Sequence, residues 1–377
     1  MNESKVPFLV SLSGKKTEVD RPEPITEDIE VLPYKKRMGT QEGVEALLEG
    51  YYVLIVDFYS SGLSILEALK DHLAKKYKGQ SFQAQRDFRS AFRTFSRHLL
   101  LLVSDHKISA RKSPDVPWLK ILYPELSEFY LPFPQVQGLN SSWQWYKNGI
   151  SIPVLKKRLY PFFGSYFPTR FEHLSLFDEW LKKYKGERKS AIDIGIGSGV
   201  LSFQLLENGF EKVYGTDANP NAIIGLTKEF NSNALLPKME LFYGDLFADL
   251  KIKSELIIFN PPWIPATQDI EGLDTAIYYD TELFPRFFSE AIKYLNPEGR
   301  IVLLFSNLAE VSHQTKAHPI EEELKLGGRF EKELFLQKKV GRASEKTRRN
   351  QHWREEERVE LWVLKKSAKL EARSKNA

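Results

Sequence analysis

The sequence predicts an α/β fold in its second half, preceded by a mainly helical domain. A glycine-rich turn, Asp193-Ile-Gly-Ile-Gly-Ser-Gly199, connects a short apolar run to a helix-like stretch. Two further apolar runs end near the acidic residues Asp217 and Asp245, and a third leads into Asn260-Pro-Pro-Trp263. Strands that alternate with helices and end in polar residues are typical of a parallel sheet that binds ligands at one edge.

Composition divides the chain into segments of different character. We divide it into a polar arm at 1–40, a mainly helical domain at 41–140, a hairpin and linker at 141–170, the α/β domain at 171–366 and a polar tail at 367–377. The prolines spread among charges in the arm predict an extended or mobile segment.

The predicted helical domain contains two recognisable helices. Ser60 or Ser61 is a suitable cap for a helix that runs to Tyr77. The stretch 83–103 is predicted as a second helix, whereas 51–59 fits either a strand or a buried helix. One face of that second helix carries Phe88, Phe92, Phe95 and Leu99.

The same predicted helix carries a basic stripe. Its members are Arg86, Arg89, Arg93 and Arg97, and Lys107, Arg111 and Lys112 follow in the next loop. A solvated face with one or two salt bridges is the commoner explanation of such a stripe. The alternative is a surface that follows the phosphates of a nucleic acid.

A hairpin is predicted before the α/β domain. Trp143-Gln-Trp-Tyr and Ile150-Ser-Ile-Pro flank the tripeptide Lys147-Asn-Gly149, and Asn-Gly is a frequent tip of a two-residue hairpin turn. We place the junction between the two domains at this hairpin.

The glycine turn predicts a cofactor site. Residues 189–194 are predicted as a buried strand and 200–207 as a helix, with a tight turn at Gly195, Gly197 and Gly199. A dinucleotide fingerprint needs another glycine where this chain has Val200, so the spacing favours S-adenosylmethionine (SAM) over NAD.

Two acidic residues extend this site. Asp217 ends the predicted strand 212–216, at a distance suited to a carboxylate that accepts hydrogen bonds from ribose hydroxyls. A helix cap before Pro220 is its alternative role. Asp245 follows the predicted strand 239–243 and is either an acceptor for an adenine amino group or an ordinary turn residue.

The run Asn260-Pro261-Pro262-Trp263 suits the binding of a planar amino group. An amide or ring-attached amine is a poor nucleophile, and positive charge gathers on its nitrogen during methylation. The Asn260 side-chain oxygen and the Pro261 carbonyl can accept its hydrogens, the prolines stiffen the backbone, and the Trp263 ring can stack on the acceptor. An ordinary turn beside a core tryptophan is the alternative.

Residues from about 160 to 366 resemble a class I SAM-dependent methyltransferase of the amino-methylating, small-domain type. The resemblance implies a seven-stranded mixed sheet, a cofactor segment at Phe163–Arg170 with Thr169 as a contact, and strands at 301–305, 330–337 and 359–364. It also implies that Asp193, Gly195, Gly197, Gly199, Asp217 and Asp245 bind SAM and that Asn260 to Trp263 bind the acceptor. Relatives more often carry Tyr or Phe where this chain has Trp263.

The resemblance gives two other regions a potential role. Hairpins before the SAM domain shape the acceptor entrance in such relatives, so Trp143 and Trp145 are either substrate contacts or packing residues. Between the last two predicted strands lies a basic connection, 338–354, that either contacts substrate or is a mobile solvated loop. Its cationic and stacking residues are Lys338, Lys339, Arg342, Lys346, Arg348, Arg349, Arg354, His352 and Trp353.

Composition excludes several classes of protein. The 377 residues, of which 42% are hydrophobic, suffice for about two domains. The chain has no cysteine, so disulfides and thiolate metal sites are excluded, and its seven histidines lack metal-ligand spacing. No apolar run approaches a membrane span or a signal peptide, so we expect a cytoplasmic protein. The net charge of +4 decides little.

The sequence therefore predicts a SAM-dependent N-methyltransferase. An adenine or guanine amino group in RNA is the favoured acceptor, because of the two basic stretches and the broad Trp263 ring. Glutamine in a release factor or ribosomal protein is the closest alternative, and a base in DNA fits the same geometry. A non-catalytic RNA- or protein-binding scaffold and an NAD-dependent oxidoreductase are alternatives of other classes.

Overall fold

The computed structural model divides the protein into two compact units. It describes residues 5–10, 14–78, 82–233, 238–266, 276–315, 317–326, 328–341 and 356–368, with backbone alone at 82, 83, 85, 86 and 230–233. Unit 1 comprises Met1–Pro7 and Glu18–Asn148, and unit 2 comprises Phe8–Thr17 and Gly149–Ala377.

Strands and helices alternate in unit 1. Strands β1 (Phe8–Val10) and β2 (Lys16–Glu18) come first in the chain and pair with each other; except for Glu18, they belong to unit 2. The later elements are β3 (Val31–Tyr34), α1 (Thr40–Glu49), β4 (Tyr52–Ile55), α2 (Tyr59–Lys76), α3 (Phe82–Ser96), β5 (Leu99–Ser104), β6 (Lys107–Ile108), α4 (Trp118–Leu122), β7 (Glu128–Pro132) and α5 (Phe133–Asn148). Strands β3, β4 and β5 are parallel, whereas β6 and β7 pair antiparallel with β5.

The expected helices of the N-terminal domain are present, but they accompany a five-stranded sheet that the sequence did not predict. The apolar run at 99–103 belongs to β5 and does not continue α3. Because β5 lies between β4 and β7, its side chains are mostly buried on both faces, and such a run has no period that separates strand from helix. The ambiguous stretch 51–59 contains β4 and the first residue of α2.

The segment 1–40, predicted as an extended or mobile arm, has extended backbone in parts of its described residues. Its described residues form three short strands, and Val19 and Tyr34 are buried. Leu9 of β1 packs against a hydrophobic cluster of unit 2. A few apolar side chains among the charges are enough to anchor strands of three or four residues.

The predicted hairpin at 143–153 is wrong. Residues up to Asn148 belong to α5, and Gly149 follows with a φ of 66°, which is typical of the glycine that ends a helix. The Asn-Gly pair thus ends a helix and does not turn a hairpin, and Ile150 pairs with Leu159. Trp143 packs edge-on against Trp118, with ring centroids 5.3 Å apart.

Unit 2 is built on a seven-stranded mixed sheet. Its elements are α6 (Glu172–Lys183), β8 (Ser190–Ile194), α7 (Val200–Glu207), β9 (Lys212–Asp217), α8 (Pro220–Asn233), β10 (Met239–Tyr243), β11 (Ser254–Phe259), β12 (Ile264–Pro265), β13 (Tyr278–Tyr279), α9 (Leu283–Tyr294), β14 (Leu295–Ser306), α10 (Leu308–Val311), α11 (Pro319–Leu326), β15 (Phe330–Lys339) and β16 (Arg358–Lys366). The sheet order is β10-β9-β8-β11-β14-β16-β15, and β16 is antiparallel to both of its neighbours.

Successive side chains along the strands point to opposite faces of this sheet, and both faces are buried. Ala191, Leu256 and Ile258 belong to one hydrophobic cluster, which also contains side chains of α6 and α7. Ile192 and Ile257 belong to a second cluster, which includes side chains of α9. Such burial of both faces is expected when helices cover a mostly parallel sheet. The predicted fold of this domain is confirmed.

Candidate active site

The predicted site residues meet at one edge of the unit 2 sheet. Strands β8, β9 and β11 are parallel, and their register aligns Ile194 with Thr216 and with Phe259. Gly195 follows the last residue of β8, Asn260 follows the last residue of β11, and Asp217 is the last residue of β9. Because the chain leaves β8 towards β9 and later returns to β11 on the other side, a crevice for ligands is expected between their ends.

The glycine turn follows β8 and leads into α7. Gly195, Gly197 and Gly199 have φ values of 65°, 52° and 82°, which side-chain-bearing residues rarely adopt. A Cβ atom on Gly197 would lie 3.1 Å from the carbonyl oxygen of Tyr166, and one on Gly199 would lie 3.0 Å from Leu226. The turn therefore requires glycine both for its conformation and for the space around it.

The segment Phe163–Arg170 lies against this turn. The Ser198 N–H donates to the Tyr166 carbonyl oxygen at 3.0 Å, and the Asn219 side chain donates to the Gly164 carbonyl oxygen at 2.8 Å. The segment is thus held to the glycine turn and to the loop after β9. Thr169 is exposed in the same segment, and its cofactor contact stays a prediction.

Asp193, near the end of β8, is a buried carboxylic acid with one satisfied oxygen. The Ser202 hydroxyl donates to Asp193 Oδ2 at 2.6 Å, and Oδ1 has no hydrogen-bond partner among the described residues. The pKa of Asp193 is raised to about 7, mainly by burial; the Ser202 hydrogen bond opposes this rise, and the negative charge of Asp217 contributes to it. A buried acceptor without a partner indicates a place for a ligand.

Asp217 ends β9 with both carboxylate oxygens in hydrogen bonds. The Gly197 N–H donates to Oδ2 at 2.7 Å, and the Asn219 N–H donates to Oδ1 at 2.8 Å. The pKa of Asp217 is raised to about 6, because the effect of burial outweighs the lowering effect of these two hydrogen bonds. Each oxygen keeps a second lone pair, so the carboxylate can still accept hydrogen bonds from two hydroxyl groups.

Asp245 lies beyond β10 and is exposed. Its carboxylate accepts a hydrogen bond from the Arg286 guanidinium of α9. The Gly244 N–H donates to the Asp217 carbonyl oxygen at 2.9 Å, which joins the loops after β9 and β10. An adenine amino group would share the Asp245 carboxylate with Arg286, and this role stays a prediction.

The Asn-Pro-Pro-Trp motif begins directly after β11. Asn260 and Trp263 are half-buried and Pro261 is buried. The indole N–H of Trp263 donates to Asn260 Oδ1 at 3.2 Å, and the same nitrogen lies 3.4 Å from the Leu304 carbonyl oxygen on β14. The Trp263 ring also packs against both hydrophobic clusters of unit 2.

His173 is a residue of this site that the sequence did not reveal. It lies in the first turn of α6, is 2% exposed, and packs at 90° to the Trp263 ring with centroids 5.4 Å apart. Neither ring nitrogen has a hydrogen-bond partner among the described residues. Burial lowers the pKa of His173 to about 4. A weak signal exists in the sequence, because His173 falls on the buried face of α6 with Leu174 and Phe177.

The predicted basic surfaces are described only in part. Arg89 and Arg93 lie on α3 and Arg97 just after it, and all three are exposed. Lys107, Arg111 and Lys112 are exposed as well, and the Arg86 side chain lies outside the described residues. Of the connection 338–354, Lys338 and Lys339 end β15, and the other predicted contacts lie outside the described residues. Lys338 pairs with Glu179 at 3.0 Å.

Neither a metal site nor a membrane-spanning helix is found in the described parts of the chain. No three His, Asp or Glu side chains there are grouped to hold a metal ion. Within the same ranges, no helix combines the length and the apolar composition needed to cross a membrane.

A family model and individual relatives resemble unit 2. The model described as "Methyltransferase small domain" matches residues 175–325. A protein of Methanocaldococcus jannaschii named "Putative protein N5-glutamine methyltransferase" is 30% identical over 152 residues, which cover 38% of this chain and 76% of that protein. A ribosomal protein L11 methyltransferase of Lachnospira eligens is 35% identical over 74 residues, which cover 19% of this chain and 23% of its own length.

A solved structure aligns with part of this chain. The ribosomal protein L11 methylase of Lactobacillus delbrueckii subsp. bulgaricus aligns with 52% of this chain and with 77% of its own chain, at 16% identity and a TM-score of 0.34.

Proposed function

Since this chain belongs to the class I SAM-dependent methyltransferases of the small-domain type, we propose that it methylates a planar amino nitrogen. The observation that carries this proposal is the position of Asn260, directly after β11 and next to the glycine turn after β8. The cofactor end of the crevice and an acceptor for amino hydrogens are thus neighbours at one sheet edge.

The residues at the edge of the sheet fit SAM. Asp193 Oδ1 is a buried acceptor without a partner in the described chain, and the glycine turn keeps side chains away from the ligand space. We propose that Asp193 and the glycine backbone hold the amino acid end of SAM, Asp217 its ribose and Asp245 its adenine. When bound, SAM supplies a methyl group that is activated by a sulfonium centre.

Asn260 and Pro261 would hold the accepting nitrogen. The lone pair of an amide or ring-attached amine is delocalised, so the nitrogen gathers positive charge as its new bond to carbon forms. The Asn260 side-chain oxygen and the Pro261 carbonyl then stabilise the transition state more than the ground state, because they accept hydrogen bonds from the increasingly acidic N–H groups. The nitrogen gains one methyl group and releases one proton to solvent, while the bond between that methyl carbon and the sulfonium sulfur breaks and S-adenosylhomocysteine leaves.

The side-chain amide of a protein glutamine is the acceptor that we favour. The Methanocaldococcus jannaschii relative, most of whose length is matched, is named for this acceptor. The broad Trp263 ring, which the sequence suggested as a stacking surface for bases, directs its polar edge to Asn260 and β14. That orientation weakens the sequence argument for a nucleobase.

An exocyclic base amine in RNA is the second candidate. Three exposed arginines, Arg89, Arg93 and Arg97, support it, because cations spaced along one surface of unit 1 can follow phosphates. They carry no sequence information of their own.

Radiolabelled transfer separates the two candidates. Purified protein is incubated with methyl-labelled SAM and a lysate, and the products are divided between RNase and protease treatment. Label that survives RNase and disappears with protease is expected for a glutamine acceptor. Label that RNase removes would overturn that acceptor and favour RNA.

Asn260→Ala is the matched inactive variant for this assay. It should lower turnover by roughly 10² to 10³, as expected for the loss of one preorganised acceptor, and leave the Kd for SAM unchanged in isothermal titration. Wild-type turnover in the folded variant would mean that the acceptor nitrogen is held elsewhere.

A further inference from the structure

The Asn260 side chain accepts a hydrogen bond from Trp263, which in turn packs against His173. The Trp263 indole N–H lies 3.2 Å from Asn260 Oδ1, and the buried His173 ring packs at 90° against the same indole. We infer that Trp263 and His173 are positioning residues, which fix the Asn260 amide with its oxygen available to the substrate nitrogen. This inference rests on the proposed methylation of an amino nitrogen at Asn260.

The hydrogen bond sets the orientation of the amide. An asparagine side chain presents an oxygen acceptor on one side and an NH₂ donor on the other, and a rotation of 180° about its last bond exchanges them. An indole N–H only donates, so it stabilises the orientation with Oδ1 towards Trp263 and opposes the exchanged one. The oxygen keeps a second lone pair for a hydrogen of the substrate amine. In the exchanged orientation the Asn260 NH₂ group would instead face two other donors, the Trp263 N–H and the N–H of the substrate.

The Trp263 N–H is itself fixed from two directions. The Leu304 carbonyl oxygen on β14 lies 3.4 Å from the same nitrogen, and β14 pairs with β11, from which Asn260 emerges. His173 lies against the ring from α6 and is 2% exposed, so the indole has little room to rotate. The His173 ring is buried and meets the indole edge-on, so it serves here as a packing surface.

This role distinguishes tryptophan from the other aromatic residues. Phenylalanine has no ring donor, and the tyrosine hydroxyl lies at the far end of its ring, where it cannot reach the same point. Trp263→Phe therefore keeps an aromatic ring and loses the N–H. We expect this substitution, which is conservative in hydrophobicity, to release the Asn260 amide.

Nuclear magnetic resonance tests the contact without any enzymatic activity. The Trp263 indole signal is identified by its absence in Trp263→Phe. Asn260→Ala should move this signal upfield, since the hydrogen bond to Asn260 is lost, and Asn260→Asp should move it downfield. The Trp362 indole, which donates to Glu360 at 2.8 Å, is the internal control and should not move. A Trp263 signal that stays in place in both variants would overturn the inference.

Turnover tests the positioning role. Replacement of Trp263 by benzothienylalanine keeps the size and stacking of the ring and removes only the N–H. We expect kcat to fall by about tenfold, while both the KM for SAM and the Kd for SAM stay unchanged. Wild-type kcat in this variant would overturn the role of the N–H.

His173 requires a pair of variants. His173→Ala should lower kcat and shift the Trp263 indole signal, and His173→Phe, which restores a flat ring, should recover at least part of both. Equal behaviour of the two variants would overturn the role of His173. If the wild-type protein methylates nothing in any assay, the proposed function fails, whereas the resonance shifts still decide whether Trp263 orients Asn260.

Discussion

At the scale of single residues, Asp217 connects the glycine turn to the loop after β9. It accepts N–H groups from Gly197 and Asn219 and keeps lone pairs for the ribose that we assign to it. We predict that Asp217→Ala weakens SAM binding by about 1.5 to 3 kcal/mol, the value of hydrogen bonds to a charged group. Isothermal titration measures the change, and circular dichroism controls for folding. Unchanged affinity in a folded variant would remove Asp217 from the cofactor site.

Asp193 gives the protein a pH-dependent stability. Its pKa rises from 3.8 to about 7 in the folded state. At pH values between 3.8 and about 7, the folded state therefore binds more protons than the unfolded state. Stability without cofactor should therefore fall as the pH rises from about 4 through 7, by up to about 4 kcal/mol from this residue.

We predict that Asp193→Asn removes most of this dependence. The variant should be more stable than the wild type at pH 8 and close to it at pH 4, as measured by urea unfolding. A smaller slope should remain, because the pKa of Asp217 is also raised, to about 6. A slope as steep as that of the wild type would contradict the assignment to Asp193.

At the scale of elements, the residues at the start of α6 connect several parts of unit 2. Arg170, just before the helix, pairs with the buried Glu357 at 3.0 Å, and Glu172 accepts the Gly341 N–H at 2.9 Å. His173 packs on Trp263. The start of α6 thus connects the cofactor segment, the acceptor motif and the residues that flank the connection between β15 and β16.

We predict that Arg170→Gln destabilises unit 2 by about 1.5 to 3 kcal/mol, because the carboxylate of Glu357 is 3% exposed and would lose its charged partner. The control is Lys338→Gln, which breaks the exposed pair with Glu179 and should cause no measurable change. Urea unfolding of both variants compares them directly. Equal effects would mean that burial of Glu357 does not strengthen the pair.

The elements also show what a sequence can predict. The helix 200–207 and the strand 239–243 have the predicted bounds, because turn residues flank both. The family and the seven-stranded sheet are confirmed as well. The strand β5 was missed because a doubly buried run has no period, and the C-terminal part of α5 was predicted as a hairpin because Asn-Gly occurs at the ends of helices as well as in hairpin turns. The contact between His173 and Trp263 joins residues ninety positions apart, and no local pattern encodes it.

At the scale of the whole molecule, cofactor and acceptor residues belong to one unit. Asp193, Asp217 and Asn260 all lie in the unit that comprises Phe8–Thr17 and Gly149–Ala377. The other unit has a sheet and a buried core of its own, and it carries exposed cations at the end of α3. When the chain is divided, unit 2 alone should therefore keep cofactor binding, whereas recognition of a macromolecular substrate should weaken.

We predict that a fragment of residues 149–377 binds SAM with a Kd within about threefold of that of the full chain. Every residue proposed to contact SAM is retained in it, whereas its apparent KM for the macromolecular substrate should rise. A second fragment, in which residues 8–17 are joined to 149–377 by a flexible linker, controls for the loss of Leu9 from the core. Isothermal titration and substrate labelling measure the two properties. If the linked fragment folds without binding SAM, unit 1 supplies part of the cofactor site and the assignment of that site to unit 2 alone is wrong.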